Sequence, residues 1–220
     1  MSITLNGNGT IQNLVAGGLP TGSVTADSLS ANSVDSSELV SGAVDSAHFA
    51  SGVGGKVLQV VSTHWTGTAT STSGTPVSVS GFSASITPAT GSKVFVMLTT
   101  NFGFNGDGTQ DPYPYIILKR GSTEIGSGAN ATGSQINTFI SGPSLPGVGD
   151  GATKYKYLPA SKNYLDSSVG GDGSTSITYQ VFFAQPYGGF TGYLNRQHNS
   201  NNASYTQSVG STITLMEIGS

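Results

Sequence analysis

SKVFVMLTTNFGF, residues 92–104, alternates along its length and decides the fold of most of the chain. Val94, Val96, Leu98, Phe102 and Phe104 share one face, because successive side chains of a strand point to opposite sides. Further candidate strands lie on both sides of it. Before it come KVLQVVSTHW (56–65) and VSVSGFSASITP (77–88), the latter bent at Gly81. After it comes YIILKRGSTEIGSG (115–128), a hairpin turning at Arg120-Gly121-Ser122. TSITYQVFFAQ (175–185) puts Ile177, Tyr179, Val181 and Phe183 together, and GSTITLMEI (210–218) is last. Short strands parted by Gly, Pro and Asn turns, with no helix between them, predict an all-β antiparallel sandwich over 56–220. About 165 residues suffice to bury one such core. Several strands are apolar on both faces in places, which suits two packed sheets plus an oligomer interface.

Composition agrees. Among 220 residues there are 32 Gly and only 9% charged residues, a turn-rich and helix-poor mixture. There is no Cys, so neither a disulfide framework nor a thiolate metal site is available. The start MSITLNGNG has neither the basic residues nor the apolar run of a secretory signal. No stretch approaches a transmembrane span, so no membrane insertion is expected. A net charge of −3 gives no reason to expect a nucleic-acid partner. All eight Lys and Arg lie at or after Lys56, whereas residues 1–55 hold only the acids Asp27, Asp35, Glu38 and Asp45. The chain changes character at Gly54-Gly55, which predicts a domain boundary.

Upstream of that boundary the apolar residues keep a different period. Leu14, Leu19, Val24, Leu29, Val34, Leu39, Val44 and Phe49 fall five apart, and residues 22–51 resolve into the decads GSVTADSLSA, NSVDSSELVS and GAVDSAHFAS. Five suits neither helix nor strand. A short extended piece at each Val followed by one helical turn satisfies it. Asp35 and Glu38 form a capping-box pattern, and Thr25 and Asp45 stand at the equivalent helix start. Two apolar residues in ten cannot build a core for one chain, and ten residues are too few for a solenoid coil of ~20 or more. Burying the line therefore takes several chains around one axis; the alternative is a Ser/Gly linker. The expected organisation is a docking segment at 1–21, a thin trimeric shaft at 22–55 with those eight residues as its core, and a sandwich head at 56–220.

Few residues suggest chemistry. Asn105, Asp107 and Asp111 set oxygen ligands at alternate positions, like the start of a calcium loop, but the distal Glu is missing. An Asp-Gly turn explains the same residues, as at Asp150-Gly151 and Asp172-Gly173. His48, His64 and His198 have no paired ligand spacing, and there is no G-x-S-x-G elbow. No catalytic residue, cofactor or enzyme activity is expected. For contact with a ligand, 185–202 is the first candidate: Tyr187, Phe190 and Tyr193 offer ring faces, and Asn195, Arg196 and Gln197 offer donors and acceptors suited to a saccharide. Tyr113 and Tyr115 in Asp111-Pro-Tyr-Pro-Tyr115 form a second candidate. Ordinary polar loops, or Tyr packed at an oligomer axis, explain both equally well.

Three features together resemble bacteriophage fibre proteins of the marine and cyanophage kind. They are the opening ITLNGNGT…LVAGGLPTGSVTADSL, the decads of the type SVDSSELVSGAVDSAHF, and the phrases GKVLQVVST, SITP…SKVFVML and STITLMEIG. The resemblance implies a homotrimer, with a thin shaft leading to a jelly-roll head similar to trimeric C1q/TNF-like modules. It also implies a place on the virion surface as a tail or head fibre, made in the host cytoplasm. Other virion proteins would hold it through residues 1–20, and a host cell-surface glycan would be its target. A capsid decoration protein without a specific receptor is the alternative, and a glycan depolymerase a remote one.

Overall fold

A computed structural model describes residues 25, 27, 29, 56–104, 113–142, 157–186, 188–199, 204 and 206–220. The chain divides into two units, Met1–Gly54 and Gly55–Ser220. Among the described residues of the second, eleven strands follow one another: β1 (Val57–Trp65), β2 (Ala69–Ser71), β3 (Val77–Ile86), β4 (Lys93–Phe104), β5 (Tyr115–Arg120), β6 (Thr123–Ile125), β7 (Ile140–Ser141), β8 (Tyr157–Asp166), β9 (Ile177–Ala184), β10 (Gly192–Leu194) and β11 (Ser211–Ile218). All pairings are antiparallel.

The principal strands form two four-stranded sheets, ordered β1-β11-β4-β8 and β3-β9-β5-β6. β10 and β2 extend the first sheet beside the C-terminal half of β4, and β7 pairs with β5 in the second. The partnerships are nested: β5 with β6, β4 with β8, β3 with β9, β1 with β11. Every connection between consecutive principal strands changes sheet except the β5–β6 hairpin. This is jelly-roll topology, one long antiparallel hairpin wound on itself with Gly121-Ser122 at its tip. Gly121 has φ +56°, the left-handed conformation that the tip needs.

Alternation sets the core as the sequence predicts. Val94, Val96, Leu98 and Phe102 are fully buried, as are Ile213 and Leu215 of β11 beside them. Facing them from the second sheet are Phe82, Ile86, Ile116, Leu118, Tyr179 and Val181. Trp65 stacks on Phe82, the rings 4.9 Å apart and 6° from parallel. Gly81, at φ +75°, lies where the β3–β9 register shifts, so the predicted bend is a bulge that turns Phe82 inward. Thr100 interrupts the apolar face of β4 yet is fully buried. Its hydroxyl is satisfied by that of Ser211, 3.2 Å away.

An ion pair, buried at its Asp166 end, joins the two layers. Both carboxylate oxygens of Asp166, at the end of β8, lie 2.6 Å from the guanidinium of Arg120 on β5. The Tyr179 hydroxyl donates to the same carboxylate at 2.9 Å. Burial, and then the Asp166 charge, push the Tyr179 phenol well above its ordinary pKa. On β11, Glu217 faces inward and accepts from Gln59 at 2.8 Å and from the Ala89 amide at 2.7 Å. Burial works to raise its pKa, but the donors Gln59, Ser92 and Ala89 together outweigh it and hold the carboxyl below the usual range. Asp172 caps its own turn through Ser174 and Thr175, so the Asp172-Gly173 turn is confirmed.

Candidate functional site

In the first unit, Thr25, Asp27 and Leu29 are described; Asp27 lies in a 3₁₀ turn and all three are exposed. Leu29 belongs to the five-residue apolar line, and in the single chain it is 47% exposed. The other members, Leu14, Leu19, Val24, Val34, Leu39, Val44 and Phe49, lie outside the described residues, as does His48.

The segment 185–202 is a different object from the exposed loop its composition suggests. It contains β10, which threads between β4 and β2, and Phe190, Tyr193, Asn195 and Gln197 are buried. Tyr193 turns its hydroxyl to the His198 ring at 2.6 Å, and the Arg196 guanidinium lies 5.1 Å over its ring. Asn195 follows β10 in the left-handed conformation, φ 55°. Its side-chain amide donates to the carbonyls of Trp65 at 3.0 Å and Gly67 at 3.1 Å, and accepts from the Ser211 hydroxyl at 2.6 Å. The amide expected to meet a sugar thus ties the end of β1 to the start of β11. Arg196 is half-buried, and Tyr187 lies outside the described residues. Neighbouring Gly103 is required by close approach, since a Cβ there would stand 2.0 Å from the Arg196 carbonyl oxygen.

The second candidate keeps an open face. Both sides of β5 are buried: Ile116 and Leu118 in the main core, Tyr115 and Ile117 in a small outer cluster with Ala184 and Phe182. Tyr115 is interior, so its ring is no free platform; its hydroxyl donates to the Gly74 carbonyl at 2.7 Å. Burial, then the Glu124 charge, raises its pKa. Tyr113, two residues earlier, is 50% exposed, and its backbone amide donates to Gln185 Oε1 at 3.0 Å. Tyr113, Pro114, Tyr115, Ile136 and Pro186 line a groove of about 350 Å³, with the Ser141 hydroxyl at its margin. Ile136, also lining it, is 45% exposed. The groove can offer ring and proline faces with hydroxyls nearby, the means of non-covalent contact.

Asn105, Asp107 and Asp111 lie outside the described residues. Among the described residues, no cluster of three His, Cys, Asp or Glu side chains could hold a metal ion. His64 is exposed and bonds the Thr212 hydroxyl at 3.3 Å. No helix among them is long and apolar enough to cross a membrane.

No protein-family model matches the chain, and no curated protein does. Among solved structures, one of infectious bursal disease virus, Gx strain, is similar over 74% of this chain at 12% identity and a TM-score of 0.31. The match spans 41% of that viral chain. The jelly-roll assignment above rests on strand order and register, independently of that likeness.

Proposed function

We propose that this chain is the subunit of a homotrimeric virion fibre. In this reading residues 1–20 dock it to the particle, the decads form the shaft, and the jelly roll is a head that meets the host surface. The observation that carries the reading is the union, in one chain, of an apolar line that a single copy cannot bury and a jelly roll that begins at Gly55. The exposure of Leu29 in the single chain and the sequence resemblance support it. Contact with a glycan falls to the Tyr113–Ile136 groove, with the half-buried Arg196 as the charged side chain that 185–202 adds. Weak contacts suffice, because three heads on one shaft multiply them.

Light scattering on the full chain tests the assembly: the expected mass is three times 22.3 kDa. Leu39→Asp should reduce it, and a folded monomer in the wild type would refute the trimer. Excess soluble protein should compete with particles for host cells, less so after Tyr113→Ala. Undiminished particle adsorption would remove the attachment role and favour a decoration protein.

A further inference from the structure

The outer face of the first sheet carries an apolar ladder. Cross-strand register aligns Val60 with Met216, Met216 with Phe95, and Phe95 with Leu165, so one row runs over β1, β11, β4 and β8. These side chains point away from the core, since their neighbours Val61, Leu215, Val96 and Tyr164 pack into it. Val60 is 54% exposed and Leu165 44%. Beside the row, Leu58 is 56% exposed. Met216 and Phe95, between Val60 and Leu165 in the row, are half-buried. Isolated surface aliphatics are ordinary, whereas an apolar row across four strands is the kind of patch that marks a contact surface.

The face is graded. The next row is Ser62, Thr214, Met97 and Asn163, and the one after it His64, Thr212, Thr99 and Ser161. Apolar character is therefore concentrated toward the start of β1, at Val60, five residues after Gly55. No carboxylate lies in the three rows. A partner covering the ladder strands no acid, and a second copy of the same face brings none to it.

We infer that this ladder is the surface through which the heads of neighbouring copies pack together. The inference rests on the trimer reading and adds the face that does the packing. A second copy is the fitting occupant for two reasons. The decads call for other copies of the same chain, and the ladder starts in β1, the first strand beyond them, with Val57 and Leu58 exposed just before it.

The chain has no Cys, so a single introduced thiol reports on one place. Val60→Cys in the full chain would be reacted with a maleimide, with Ser122→Cys at the exposed hairpin tip as the reference. In protein whose mass is three chains, the thiol at position 60 should react at least tenfold more slowly than the one at 122. In urea the two rates should converge. Leu165→Cys, at the far edge of the ladder, should be protected likewise and decides the matter if the first variant does not assemble. Equal native rates in an intact trimer would overturn the interface while leaving the trimer standing. A wild-type mass of one chain would remove both.

Discussion

Asn195→Asp is a small change with a large expected consequence. Aspartate has nearly the shape of asparagine, tolerates left-handed backbone, and keeps the oxygen that accepts from Ser211. What it loses is the NH₂ that donates to the Trp65 and Gly67 carbonyls. The residue is 2% exposed, so water cannot replace those donations. Two net hydrogen bonds of ~1 kcal/mol each, plus carbonyls left facing an oxygen, add to a loss of ~3–5 kcal/mol. That is a large share of the ~5–15 kcal/mol that holds a domain together. Trp65 is the sole tryptophan and one of the residues tied, so its emission during urea unfolding reads the transition at the right place. The deficit relative to wild type should shrink in acid, where a protonated carboxyl donates one of the two bonds. A loss below ~1 kcal/mol would show that Asn195 does not tie β1 to β11.

Arg120→Met should cost ~3 kcal/mol in urea unfolding, because it leaves the Asp166 carboxylate buried without its cation, and Asp166→Leu added to it should recover much of that. Glu217 makes stability fall in acid. Its folded pKa lies below the unfolded value near 4.5, so its contribution is complete above that value and is lost as pH falls through the folded one. Thermal melting from pH 6 to pH 3 should therefore be flatter in Glu217→Gln than in wild type. Leu98→Ala, at a fully buried site, should cost ~2–5 kcal/mol by the same urea assay.

Six of the eight principal strands are legible from apolar alternation, with β6 visible in the hairpin after β5. β8 is not, and its residues explain why. Its inward positions are Leu158, Ala160, Lys162, Tyr164 and Asp166, so charges break the period. Lys162 fits there because its ammonium donates to the Gly126 carbonyl at 2.6 Å and lies 4.8 Å over the Phe139 ring, leaving only its stem among apolar neighbours. Asp166 fits because Arg120 arrives from another strand. Pro159 discourages a strand reading, yet an edge strand accommodates it. The burial of side chains in 185–202 is hidden from composition for a related reason. Composition cannot tell an amide that bonds backbone carbonyls from one that faces solvent. The signal that was available is an Asn placed directly after Gly-Tyr-Leu, since Asn takes the left-handed turn more readily than most residues.

The nested pairing also fixes an order of events. The β5–β6 hairpin closes across two residues, whereas β1 must meet a strand more than 140 residues away. Loop-closure entropy favours the tip first and each wider pair after it, every inner pair shortening the loop the next must close. The strand made last, β11, is the one that fits between β1 and β4. Until Ile218 has been synthesised, the facing edges of β1 and β4 have no strand to pair with between them. The head is therefore slow to close and exposed to wrong pairing during translation, when nascent copies are crowded on one message.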